Sequence, residues 1–273
     1  MIQLLTALGD LYHYLNVELA DPRTKDYYIT SPILVLSILI LYHYFVRNIG
    51  PKLMQNREAF NLKPVIFYYN ILQILVCLYL FCKGSKLIFG WNRRFSWLCE
   101  PVEWEDTPYS QETIRLIWMY TTTKLVDLLD TVFFVLRKKN NKVSFLHLYH
   151  HTGMVLLTWS CIKWLPGGHD LFIGYINLFV HTFMYLYYTL ALTDSRKYIW
   201  MKKYITQLQM IQFFLNILHS GIILFQPNCG YPKWTTIVMI PQNTFMLFLF
   251  FDFYRKEYLR KKPEESGNHH HVE

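Results

Sequence analysis

Three histidines stand within five residues in "HLYHH": His147, His150 and His151. Imidazoles at i, i+3 and i+4 suit three kinds of chemistry: holding a transition metal, moving protons near neutral pH, or attacking a carbonyl carbon. On a helix all three fall within one arc of about 100°, with Tyr149 pointing to the other side. His181 follows in "NLFVHTFMYLYY", on one helical face with Asn177, Met184, Tyr185 and Tyr188. In "KLVDLLDT", Lys124, Asp127 and Thr131 share a face with Asp130 on its flank. In "TQLQMIQFFLNILH", Gln209, Gln212, Asn216 and His219 do the same.

Each set has a plainer explanation. A Lys and an Asp at i, i+3 can simply pair. Amides often only tie membrane helices together, and tyrosine stripes usually pack. Three histidines on one stripe within two turns are harder to account for as packing. A metal held by the three box histidines and His181 is one reading. The chain has no second HxxHH or HxxxH to complete a larger metal centre, which favours chemistry by imidazole itself, and a neutral imidazole is a competent nucleophile toward a thioester.

These residues must be carried by membrane elements. Of 273 residues 53% are hydrophobic and 18% aromatic, with only 17% charged, and the apolar residues come in long blocks. A bilayer core takes roughly 20 mostly apolar residues. Seven segments qualify, at about 32–48, 64–83, 114–136, 145–165, 170–192, 204–225 and 235–254. The expectation is an all-α polytopic membrane protein with seven transmembrane helices, a single domain over 1–273 with a disordered tail from about 263. No cleavable leader pattern opens the chain, so the first span is expected to do the targeting. Ionisable groups inside a bilayer cost roughly 2.5–3.5 kcal/mol each at a helix centre, so their presence marks a protected interior.

Seventeen of the 27 Lys and Arg fall in segments that are cytosolic if the N-terminus is luminal, eight in the opposite segments, and Arg115 and Lys124 within spans. The positive-inside bias therefore predicts a luminal N-terminus and a cytosolic C-terminus. The net charge of +8 is then a property of the cytosolic face, suited to anionic lipid or an anionic substrate. Nucleic acid is excluded as a partner, because no soluble domain exists to present a basic face. Cys99 and Cys229 both fall in outer segments, where either a disulfide or two free thiols is open. In this topology the polar faces of four helices meet in the cytosolic half, with Leu, Ile, Val, Phe and Met beyond them. A polar chamber continued by an apolar tube suits an amphiphile with a charged head and a long tail. A di-iron lipid oxygenase and a seven-helix receptor are the rival classes.

Four motifs together, "KLVDLLDT", "HLYHH", "HTFMYLYY" and "TQLQMIQ", resemble in order those of the ELO family of very-long-chain fatty acid elongases. Asp127 stands where that family's first box commonly has Glu. The resemblance implies an endoplasmic reticulum enzyme that condenses an acyl-CoA with malonyl-CoA, giving 3-ketoacyl-CoA, CO2 and CoA. It implies six helices around a substrate tunnel with the first helix outside, no metal or redox cofactor, and a luminal Cys99–Cys229 disulfide. The other enzymes of the elongation cycle are the implied partners, with self-association left open. By the same resemblance His150 would be the nucleophile, His181 would position or activate malonyl-CoA, and His147 and His151 would orient or exchange protons, with a direct condensation in which histidine acts only as base left open. Lys124, Asp127, Asp130, Asn177, Tyr185, Tyr188, Gln209, Gln212 and Asn216 would bind CoA or support the histidines.

Overall fold

Prolines and capping side chains set where the helices begin. The computed structural model describes residues 2–90 and 95–259, which form helices and connecting turns with no strand among them. The expected tail from 263 lies outside the described residues. Helix α1 (Ile2–His13) precedes the first expected span and has no counterpart in the sequence reading. Helix α2 (Pro32–Tyr44) runs through a π-helical turn into the short α3 (Gly50–Met54). There follow α4 (Lys63–Phe89), α5 (Pro108–Val126), α6 (Leu129–Leu136), α7 (Phe145–Trp164), α8 (Leu171–Thr193), α9 (Ser195–Ile222) and α10 (Thr235–Tyr254). Pro32, Pro64 and Pro108 occupy first turns, where the missing N–H is no loss. Ser144 accepts from the His147 amide at 3.2 Å, and Asp194 from the Arg196 and Lys197 amides at 3.1 Å, so α7 and α9 each start on a side-chain cap.

Among the described residues five helical stretches are long and apolar enough to cross a membrane: Pro32–Met54, Lys63–Phe89, Leu171–Thr193, Ser195–Phe225 and Thr235–Leu259. By that measure the expected count of seven is not reached. The expected span 114–136 is two helices, α5 and α6, broken at Asp127–Leu128. Helix α5 is also rich in Thr and carries Lys124, and α7 carries the three histidines, so neither reads as uniformly apolar. Both keep polar groups because they line the interior.

Helix α4 packs on α5 and α8, α8 on α9, α9 on α10, α10 on α7, and α7 on α5. The six close into a ring. Helix α2 lies outside it. Its Val35 and Leu39, with Val46 of the π-helical turn, join Ile117, Leu128, Val135, Val155 and Ile162 in the largest apolar cluster, which seals α5, α6 and α7 from that side.

At the end of the ring where α4, α7 and α9 finish, Cys99 and Cys229 are joined across 130 residues of sequence. They pack beside buried Val102, Ile223 and Tyr231. Gly168 is pressed against this cluster at φ +75°, and a Cβ there would meet the Tyr231 ring at 2.5 Å. His169 and His219 stack at 3.9 Å, each ring nitrogen Nε2 bonded to the other's backbone carbonyl, at 2.8 and 3.2 Å.

Candidate active site

The break between α5 and α6 places the acidic residues. Asp127 caps the C-terminus of α5, and Asp130 lies in the first turn of α6. Lys124 donates to Asp127 Oδ2 at 3.0 Å, both residues being at most 3% exposed. Neither charge could stay there alone, since an unpaired buried ion costs several kcal/mol. Tyr185 from α8 donates to Asp127 Oδ1 at 3.0 Å and approaches Asp130 Oδ2 at 3.2 Å. Gln73 from α4 also donates to Asp127 Oδ1, and its amide lies 3.3 Å from the Tyr69 hydroxyl. Asp127 is thus met from three helices, and the Lys124 ammonium also sits 4.9 Å from the centre of the Tyr120 ring.

Through Lys124 this network reaches the histidines. Its Nζ lies 3.4 Å from His181 Nδ1. An ammonium has donors only, so Nδ1 is the acceptor there and the His181 ring carries its proton on Nε2. One helical turn earlier, Asn177 Oδ1 accepts from Tyr120 at 2.8 Å.

Two cavities meet beside these groups. The larger, of about 130 Å³, lies inside the ring and takes lining from α4, α5, α7, α8, α9 and α10. Its walls are mainly Leu, Ile, Met, Phe and Tyr. The smaller, of about 10 Å³, is bounded by His150, Asn177, Val180, His181, Gln209, Gln212, Phe213 and Phe250. Four side chains line both: His150, Asn177, Gln212 and Phe213. Asn216 faces the larger cavity and donates to Asn243 Oδ1 of α10 at 3.0 Å.

The structure therefore gathers His150, His181, Asn177, Gln209 and Gln212 round one small polar pocket, with Lys124, Asp127, Asp130 and Tyr185 behind it. It separates other residues. His147 and His151 pack against each other with ring centroids 4.3 Å apart and planes tilted by 50°, and line neither cavity. His147 Nε2 is instead bonded to Thr131 Oγ1 at 2.8 Å, and Thr131 to Tyr42 of α2 at 2.7 Å. Thr131 thus leaves the face it was expected to share with Lys124 and Asp127, because the chain turns at 127–128. Tyr188 packs edge-on to Tyr185, 6.0 Å between centroids, and is partly exposed. His219 belongs to the stacked pair at the disulfide end. Gln209 also donates toward Met184 Sδ at 3.6 Å.

Sequence reasoning passed over Tyr69, Gln73, Tyr120 and Gln242. Gln242 accepts from Tyr149 at 2.5 Å and lines the large cavity. Asn70 and Gln73, one turn apart in the apolar "YYNILQILV", are the signal that would have found the α4 contribution. Among the described residues no three His, Cys, Asp or Glu side chains are grouped so as to hold a metal ion.

Helices around an apolar cavity, with a small polar pocket at one side of it, define an all-α polytopic membrane protein. The sequence model of the GNS1/SUR4 family, ELO, matches residues 27–266, and the chain belongs to that family. It is 38% identical to very long chain fatty acid elongase 7 of Drosophila melanogaster, over 97% of this chain and 80% of that protein. It is 37% identical to very long chain fatty acid elongase 1 of Mus musculus, over 94% and 92% of the two chains. It is 38% identical to very long chain fatty acid elongase 4 of Homo sapiens, over 96% and 84%.

Proposed function

We propose that this protein elongates fatty acids, as the condensing enzyme that joins an acyl-CoA to malonyl-CoA. The observation that carries the reading is the place of His150. Of the four side chains common to the apolar cavity and the polar pocket, it alone is a nucleophile. An acyl chain lying in the cavity would bring its thioester carbon to that imidazole, in a space walled mainly by apolar side chains.

The steps balance as follows. A His150 ring nitrogen bonds to the acyl carbon, the C–S bond breaks, and CoA leaves with the proton from imidazole. Malonyl-CoA then loses CO2, and the electron pair of the broken C–C bond becomes an enolate. Its carbon attacks the acyl-imidazole, the C–N bond breaks, and 3-ketoacyl-CoA leaves while the ring regains a proton from solvent. His181, donating from Nε2, and Asn177 would stabilise the enolate oxygen. Lys124 holds His181 in that tautomer, and Asp127, with Gln73 and Tyr185 upon it, holds Lys124. His147 and His151 support the box from behind. The sequence of steps calls on no metal or redox cofactor.

The basic residues Arg137, Lys138, Lys139 and Lys142 lie between α6 and α7, at the end of the ring nearest His150. They suit the CoA phosphates and favour the cytosolic side for that end, in what this reading takes to be an endoplasmic reticulum membrane. The disulfide end is then luminal, as oxidising conditions favour. Purified protein given labelled malonyl-CoA and acyl-CoAs of 14 to 26 carbons should yield labelled 3-ketoacyl-CoA. No condensation product across that panel would overturn the reading.

A further inference from the structure

One polar group of the large cavity has no part in the chemistry above. Asp170 immediately precedes α8 and lines the cavity next to Leu171, Ile173 and Gly174. Its Oδ2 accepts from the Tyr231 hydroxyl at 2.9 Å. Its Oδ1 is buried with no hydrogen-bond partner among the described residues. A carboxyl oxygen left in that state is costly, and native proteins rarely keep one without a use.

Its position is remote from the reacting groups. Along α7 the cavity runs from His150 to Cys161, a rise of about 16 Å at the α-helical pitch. Along α8 it runs from Leu171 to Leu178, so Asp170 stands at the opposite end from the pocket of His150 and His181. An acyl chain with its thioester at His150 points its tail toward Asp170. The walls nearby are Leu87, Ile88, Ile117 and Leu171, which offer a hydrocarbon tail nothing polar.

We propose that Asp170 Oδ1 accepts a hydrogen bond from a hydroxyl group at the tail end of the acyl chain, so that the cavity takes ω-hydroxylated acyl chains in preference to unsubstituted ones of the same length. This rests on the elongation reading for the identity of the chain. Tyr231 holds the carboxyl in place through Oδ2, and Gly168, pressed on the Tyr231 ring, fixes that tyrosine in turn. The free oxygen is thereby aimed rather than left to rotate.

The test compares two acyl-CoAs of equal carbon number, one ending in a methyl group and one in a primary alcohol, with the solubilised full chain. Condensation with malonyl-CoA gives KM for each, and thermal stabilisation of the protein by each gives binding without turnover. The expected result is a KM about tenfold lower for the alcohol-ended chain, as a hydrogen bond to a carboxyl in a dry site supplies. Asp170→Leu should lose that preference and still elongate the methyl-ended chain, while Tyr231→Phe, which leaves the carboxyl free to rotate, should weaken it. Equal KM and equal stabilisation by the two ligands in the unaltered protein would overturn the proposal without any variant. A preference that survives Asp170→Leu would overturn it too. If neither substrate gives product, the elongation reading fails. Unequal stabilisation that depends on Asp170 then still supports the subsite, and equal stabilisation removes it.

Discussion

Replacing Lys124 with Met removes one partner of a buried ion pair and keeps the length of the side chain. At the observed 3.0 Å separation, and with an effective dielectric constant near 20, the lost attraction is about 5.5 kcal/mol. Asp127 retains its bonds from Tyr185 and Gln73. These offset part of the loss, so the expected destabilisation is about 3–5 kcal/mol, the range for one partner removed from a buried pair. Asp127→Asn should cost a similar amount by leaving the ammonium unpaired. The double variant should cost far less than the two together, since it leaves no buried charge. Unfolding of the detergent-solubilised protein, followed for all four forms, measures this directly. Condensation rate gives a second readout, because Lys124→Met also frees His181 Nδ1 and lets the ring take either tautomer. If Lys124→Met costs less than 1 kcal/mol, or if the two variants are simply additive, Lys124 and Asp127 are not the coupled pair described here.

Gln73→Leu should destabilise by about 1–2 kcal/mol, the worth of one hydrogen bond to a charged group moderated by its membrane setting, and should slow condensation. Unfolding and initial rates of that single variant check both. Cys99→Ser opens a link across 130 residues and should cost about 2–5 kcal/mol; a melting temperature unmoved by reducing agent would contradict this. Burial pushes the Asp170 carboxyl up to about 6 against the opposing bond from Tyr231. Its pKa in the folded protein is thus above the unfolded one, so its contribution is intact below about pH 4 and is lost as pH rises through 6. The loss is at most about 3 kcal/mol at neutral pH. Asp170→Asn should therefore melt higher than the unaltered protein at pH 7.5 and show about half that gain at pH 5.

The bundle was legible because a bilayer enforces long apolar blocks, and the starts of α2, α4 and α5 carry their prolines openly. The polar stripes were legible for the same reason: His150, His181 and Gln212 stand out against Leu and Phe. The break at Asp127–Leu128 was not. "KLVDLLDT" has no Gly or Pro, and only the tertiary contacts of Asp127, Asp130 and Thr131 make the chain turn there. That turn sends Thr131 and His147 toward Tyr42 of α2, which a straight helix could not have shown. Gln73 escaped notice because one amide in an apolar helix is usually a tie between helices. Its use as a donor to a carboxylate from another helix depends on packing that sequence spacing does not encode. The division of the three box histidines, one facing the cavities and two packed together away from them, likewise follows from the neighbours of α7 rather than from its own periodicity.

The account turns on His150 as the carrier of the acyl group. Incubation of the purified protein with a long-chain acyl-CoA alone, without malonyl-CoA, tests that most directly. The account predicts release of about one CoA per chain and a peptide spanning "FLHLYHHTG" whose mass has increased by the acyl group on His150, with neither seen in His150→Ala. Release of CoA only when malonyl-CoA is present, or an acyl group found on another residue, would contradict it.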